Sequence, residues 1–213
     1  MVVHHLKEPA RSIRTGVELL LEELDPQSTP HISASADRIL RGALRLDEIA
    51  ASMAQYADDL SNEDEEVELT NMEAIFRAVC QKLAPLIEQT RAIVTSDSLP
   101  TLQCQPTRIA RLMEHLVKNA ILYRREQMPP AVNVSAKKEP AHWLFSVADN
   151  GMGVEPAYLD QVFEPFRRLH SKEHHGLGMG LATCGDIVAR HGGRIWMESQ
   201  FGIGSVVFFS LPE

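Results

Sequence analysis

Ile32, Ile39, Leu46, Met53 and Leu60 fall at strict steps of seven. A sustained seven-residue period keeps one apolar seam along a helix, and other helices have to cover that seam. Ala36, Ala43, Ile49 or Ala50, and Ala57 fill the layers between. The spacing predicts a helix from about residue 32 to residue 60. A second stripe precedes it, because Leu6, Ala10, Ile13, Val17, Leu20 and Leu24 describe one helical face. Asp25-Pro26-Gln27-Ser28-Thr29-Pro30 breaks the chain between the two helices. Two such helices cannot bury their stripes alone, so a homodimer forming a four-helix bundle is the economical arrangement. The alternative is that the hairpin packs on the rest of its own chain.

Ser61-Asn62-Glu63-Asp64-Glu65-Glu66 reads as a solvated acidic linker. It divides a helical hairpin, residues 1–62, from a second domain, residues 68–213. Thr70-Asn71-Met72-Glu73 has the form of a capping box. The helix behind it carries Met72, Ile75, Phe76, Val79 and Leu83. A short strand is expected at Arg91–Thr95. Pro106 sits where a first helical turn tolerates proline, and the helix from Thr107 to about Tyr123 buries Ile109, Leu112, Leu116 and Ala120. Strands follow near Ala131–Lys137 and Trp143–Asp149, then a short helix near Pro156–Phe163. A helix at Leu181–His191 ends at Gly192-Gly193, a C-cap signature. Strands at Arg194–Ser199 and Ser205–Leu211 close the sheet. Mixed elements with an antiparallel finish predict an α+β chain: a helical hairpin followed by an α/β sandwich.

Composition narrows the function. A formal net charge of −8 argues against a general nucleic-acid binder. No run of about 18 apolar residues is present, so no membrane span is expected. Met1-Val2-Val3 leads into a polar helix without the form of a signal peptide, and a cytoplasmic chain is expected. The three cysteines, Cys80, Cys104 and Cys184, are scattered without metal-site spacing, so reduced core thiols are expected.

The chemistry concentrates in two glycine-rich stretches. The apolar run Trp143–Ala148 ends in Asp149-Asn150-Gly151-Met152-Gly153. A carboxylate fixed at a strand end offers a charged acceptor, and Gly151 and Gly153 would let a flat ring approach the backbone. The plainer reading is an Asp-Asn-Gly turn. Downstream, Gly176-Leu177-Gly178-Met179-Gly180 runs into a helix, whose free N–H groups and dipole suit a phosphate chain. Asn119 lies in the helical run His115–Ala120, and Gly202-Ile203-Gly204-Ser205 introduces the last strand.

In this order, these four pieces resemble the GHKL ATPase superfamily, and the histidine kinases of two-component systems in particular. Phe163-Glu164-Pro165-Phe166-Arg167-Arg168-Leu169-His170 resembles the kinases' F box. His4-His5-Leu6-Lys7-Glu8-Pro9 resembles their H box in its phytochrome-type form. The resemblance implies ATP and Mg²⁺ as cofactors, with Asp149 reading the adenine amino group and Asn119 giving an oxygen to the metal. Gly151 and Gly153 would admit the ring, and Gly176, Gly178 and Gly180 would wrap the phosphates. His170 to His175 would be a short lid over the nucleotide. His4 takes the phosphoacceptor position, and His5 stands where an acid normally accepts the proton. A receiver-domain Asp of a response regulator would then take the phosphoryl group. The chain departs from the pattern at Glu8, at His115, where an earlier Asn is usual, and at Leu122, where a phosphate-contacting Lys is usual. Lys118, Arg124 or Arg125 would have to supply that charge. The resemblance also implies either an excised part of a sensor or an unusually short kinase. The departures at His5, His115 and Leu122 motivate an alternative: a degenerate kinase acting as a dimeric nucleotide-binding scaffold.

Overall fold

A computed structural model describes residues 13–17, 35–44, 46–47, 50–51, 53, 65–167 and 178–212. His4, His5 and Gly176 lie outside the described residues, as do Arg168 to His175. The chain separates into two compact units, Met1–Asn62 and Glu63–Glu213.

In the first unit every described residue is helical. Val17, Ala36, Ala43 and Ala50 are buried, and Arg14 Nη1 donates to Asp47 Oδ2 at 3.2 Å. Small alanines allow close approach, so they occupy the inner seam of the single chain. The larger side chains of the seven-residue series do not join them. Ile39, Leu46 and Met53 are 50%, 48% and 39% exposed. Within the single chain, then, the alanines are covered while Ile39, Leu46 and Met53 lie on the surface.

The second unit runs β1 (Glu68–Asn71), α1 (Met72–Lys82), α2 (Ala84–Thr90), β2 (Ile93–Ser96), β3 (Thr101–Cys104) and α3 (Pro106–Leu122). It continues with β4 (Ala131–Lys138), β5 (His142–Asp149), a 3-10 turn (Pro156–Gln161), α4 (Gly180–Arg190), β6 (Ile195–Gln200) and β7 (Gly204–Pro212). Five strands form a mixed sheet in the order β2-β4-β5-β7-β6. Only β2 and β4 pair in parallel, and the crossover this requires carries α3. β4, β5, β7 and β6 pair antiparallel. The unit is α+β.

Alternation along the strands decides which face is covered. Val132 and Val134, Phe145 and Val147, and Val207, Phe209 and Leu211 are all buried in one core with the helices. Phe145 stacks on Phe209 with ring centroids 4.8 Å apart. From α3 the core takes Ile109, Leu112, Leu116 and Ala120, joined by Met113, Val117 and Ile121.

Two local expectations are corrected. Thr70 is not the helix cap: it pairs with Leu102 in a two-stranded ribbon of β1 and β3, and its hydroxyl donates to Glu68 O at 3.0 Å. The cap is Asn71, whose Oδ1 accepts Ala74 N at 3.2 Å. Glu73, the other half of the expected box, is instead 3.3 Å from Arg77 one turn on. Glu65 is not merely solvated linker. Its Oε1 accepts Thr107 N at 2.7 Å, and its carbonyl accepts Gln105 Nε2 at 2.6 Å. A carboxylate at the start of α3 satisfies a free helix N–H and complements the dipole.

Candidate functional site

A cavity of about 130 Å³ lies against the sheet and helices α3 and α4. Its apolar lining includes Leu116, Val147, Met197 and Val207. Asn119, Asp149, Arg167 and Ser205 are polar residues of the lining, and Gly153, Gly178 and Gly180 its glycines. Residues far apart in sequence, which the motifs singled out separately, thus share one wall.

Asp149 ends β5. Both hydrogen bonds it accepts fall on Oδ1, from Gly151 N at 2.7 Å and Ser205 N at 3.2 Å. The second oxygen takes part in neither. Burial holds the carboxyl above the ordinary aspartate range, and the two N–H bonds offset this only in part. The result is an oriented carboxylate in a largely apolar cavity.

The chain beyond Asp149 is tied down. Asn150 Oδ1 accepts Ala131 N at 2.8 Å and its Nδ2 donates to Pro129 O at 3.1 Å, so a side chain finishes the β4–β5 ladder. Met152 N donates to Tyr123 O at 2.9 Å, Gly202 N to Met152 O at 2.7 Å, and Val154 N to Ser199 Oγ at 2.7 Å. Arg125 donates to Asn150 O at 2.9 Å and Gly202 O at 3.0 Å. That contact makes Arg125 a strut of this loop.

Gly151 and Gly153 are also required by the chain's own packing. A Cβ on Gly151 would run into Tyr123 O and the Asp149 carboxylate. Gly153 has φ +67°, and a Cβ there would meet Gln200 O. Their missing side chains make room for this chain's own backbone.

Asn119 comes from the last turn of α3. The space a Cβ on Gly180 would fill lies 3.3 Å from His115 Nδ1 and 3.8 Å from Asn119 Nδ2. The first residue of α4 is thereby set beside both side chains. That helix starts at Met179 without a side-chain cap, after Gly178 at φ +73°. No group of three or more His, Cys, Asp or Glu that could hold a metal occurs among the described residues.

Of the three cations expected at the site, Lys118 is exposed, and none of Lys118, Arg124 and Arg125 lines the cavity. Arg167 does. Sequence reading passed over Arg167, Tyr123, Met152 and Ser205 as site residues. The available signal for Arg167 was its place between the 3-10 turn and the glycine-rich loop.

Residues 104–213 match the family described as histidine kinase-, DNA gyrase B- and HSP90-like ATPases. Cyanobacterial phytochrome A of Nostoc sp. strain PCC 7120 is 34% identical over 214 residues, covering 98% of this chain and 27% of the relative. The chain thus spans about a quarter of the length of the curated relatives it matches first. Among solved structures, full-length ShkA in complex with AMPPNP aligns at a TM-score of 0.69 and 20% identity, covering 99% of this chain and 44% of that one. Histidine kinase ThkA in complex with response regulator TrrA aligns at 0.64 and 21%, covering 99% and 59%. These structural likenesses carry the fold. The family match takes in over half of the chain, including Asn119, Asp149 and the glycines of α4, so the chain belongs to the histidine kinase-, DNA gyrase B- and HSP90-like ATPases.

Proposed function

We propose that this chain is an ATP-dependent protein histidine kinase core of a two-component system. The observation that carries this reading is the Asp149 carboxylate, oriented through Oδ1 at the wall of an apolar cavity beside Asn119 and the start of α4. A buried acceptor of this kind selects a ligand with an amino donor, as adenine has, and the apolar lining suits a flat base. Backbone N–H groups at an uncapped helix start suit the phosphates.

Mg²⁺ takes one or two protein oxygens besides phosphate and water, so the single side-chain oxygen of Asn119 fits such an ion. When bound, the ion would neutralise phosphate charge. The chain's own residues bind and orient. A ring nitrogen of His4 attacks the γ-phosphorus, the bond to the ADP oxygen breaks, and the imidazole proton passes to neutral His5. A receiver-domain Asp of a response regulator then takes the phosphoryl group. Most of the acceleration comes from positioning and charge neutralisation. Two copies pair through the helical units, where Ile39, Leu46 and Met53 offer apolar surface. Action in the cytoplasm accords with the absence, among the described residues, of a helix long and apolar enough to cross a membrane.

The test is incubation with γ-labelled ATP and Mg²⁺, scored for acid-labile, base-stable label. Wild type becomes labelled, His4→Ala and Asp149→Ala do not, and His5→Ala is slowed. Label that survives in His4→Ala moves the acceptor elsewhere. Wild type that binds ATP without ever becoming labelled contradicts the kinase reading.

A further inference from the structure

Building on the nucleotide reading above, we infer that His191 is a positioning residue: its ring clasps α4 to α3 at the end away from the cavity, and through Gln105 this clasp makes nucleotide affinity answer to the segment at Glu65. The two helices lie antiparallel. Gln105, just before the first turn of α3, meets His191 at the end of α4. Midway along, Cys184 Sγ lies 3.9 Å from Leu112 O. At the other end, Gly180 at the start of α4 stands beside Asn119. One end of the pair borders the cavity, and the other carries the clasp.

The hydrogen bonds fix the tautomer of the ring. The Gln105 N–H can only donate, and it lies 3.1 Å from His191 Nε2, so that nitrogen carries no proton. Ile187 O can only accept, and it lies 2.8 Å from Nδ1, so the ring proton sits there. The backbone around the ring is also fixed. His191 N donates to both Ile187 O and Val188 O, and Gly193 N donates to Val188 O at 2.9 Å. Gly193 packs so closely on β7 that a Cβ there would strike Ser210 O.

Gln105 is held on a second side. Its Nε2 donates to Glu65 O at 2.6 Å, and the Glu65 carboxylate accepts Thr107 N at 2.7 Å. A displacement of the chain at Glu65 therefore reaches Gln105, then the His191 ring, then α4. A helix carries such a shift along its length, roughly 16 Å from His191 to Gly180 at the usual rise per residue. It arrives where the start of α4 would meet the phosphates. Asp149, which would read the base, is held separately by Gly151 and Ser205. Disturbing the clasp thus weakens ATP and spares adenosine.

Calorimetric titration of the full chain with ATP and with adenosine tests this, on wild type, His191→Phe, His191→Gln, Glu65→Ala and the double variant of His191→Phe with Glu65→Ala. Phenylalanine keeps the bulk of the ring without its acceptor, and glutamine restores an acceptor. His191→Phe should weaken ATP roughly fivefold or more and leave adenosine unchanged, and His191→Gln should recover most of the loss. Glu65→Ala should weaken ATP in the same sense, and the double variant no further than His191→Phe alone, because both act through Gln105. NMR of the imidazole nitrogens in wild type should find the His191 proton on Nδ1, which keeps the inference testable where the phenylalanine variant does not fold. ATP and adenosine that shift by the same factor in His191→Phe, ATP that does not shift, losses that simply multiply in the double variant, or a proton on Nε2 each overturn the inference while leaving the nucleotide reading intact. Wild type that binds neither ligand overturns both.

Discussion

Asp149 accepts the backbone N–H of Ser205 on Oδ1 at 3.2 Å, one step beyond the last ladder pair of β5 and β7, Ala148 with Val206. A side chain thus continues the pairing after the strand has ended. The same oxygen takes Gly151 N, so one atom fixes both the loop and the carboxylate.

The burial of Asp149 has a cost that depends on pH. Its carboxyl is held above the ordinary range by desolvation, so the folded state binds this proton more tightly than the unfolded state does. Its contribution is fully present below the ordinary aspartate value and is lost as pH rises through the raised one. Asp149→Asn is therefore expected to melt at or above the wild-type temperature at neutral pH, with the difference shrinking as pH falls through that window. ATP affinity should drop roughly tenfold or more, because the charged acceptor is gone. Thermal melts across pH, paired with ATP titration, read both effects. An Asn variant that melts below wild type at neutral pH would contradict the account.

Glu65 should stabilise the second unit through the start of α3. Glu65→Ala leaves Thr107 N without its side-chain acceptor and is expected to cost about 1 kcal/mol, the usual scale for a helix cap. Glu65→Gln should lose less. Urea unfolding of the full chain, followed by near-ultraviolet signals of Trp143 and Trp196, gives the comparison, and an alanine variant as stable as wild type would leave the contact without energetic weight.

Ile39, Leu46 and Met53 are the apolar side chains on which self-association is proposed to rest. Leu46→Glu should lower the mass measured by light scattering to that of one chain and leave ATP affinity unchanged. Dimers persisting in that variant would move the interface elsewhere.

The thiols should be slow to react. Burial pushes all three upward, Cys184 most of all, and Cys104 is as fully buried as Cys184. Cys80 is half-buried, so an alkylating reagent at neutral pH should mark Cys80 first and the other two only in denaturant. Intact-mass spectrometry counts the adducts.

How much of this was legible depended on whether the signal was local. Helices α1, α3 and α4 and the five strands of the sheet followed from apolar periodicity, α2 did not, and Asn119 and Asp149 stood out because each belongs to a short pattern with its own chemical sense. Thr70 misled because the same Thr-x-x-Glu spacing suits a cap or the end of a strand, and pairing with Leu102 decided between them. β1 and β3 are four residues each, too short for alternation to register. Arg167 and Glu65 were hidden for a different reason. A charged side chain carries no periodicity, and its role is set by what the fold brings near it. Gly151 and Gly153 have a structural reason the sequence did not show: it reveals that a side chain is missing, not which of the chain's own atoms lie close by.

The stitching of Asn150, Gly151, Met152 and Val154 has a practical consequence for anyone altering this chain. Their amide hydrogens are engaged by Ala131 O, the Asp149 carboxylate, Tyr123 O and Ser199 Oγ, so the segment has no slack in length. A residue inserted there would shift every later donor past its acceptor and pull the carboxylate out of line. The turn between β4 and β5 is the opposite case. Pro140 and Ala141 are exposed, and the hairpin is closed by Glu139 N on His142 O at 2.9 Å. A fluorophore, an affinity peptide or a permuted terminus belongs at that hairpin, where added length is accommodated in solvent.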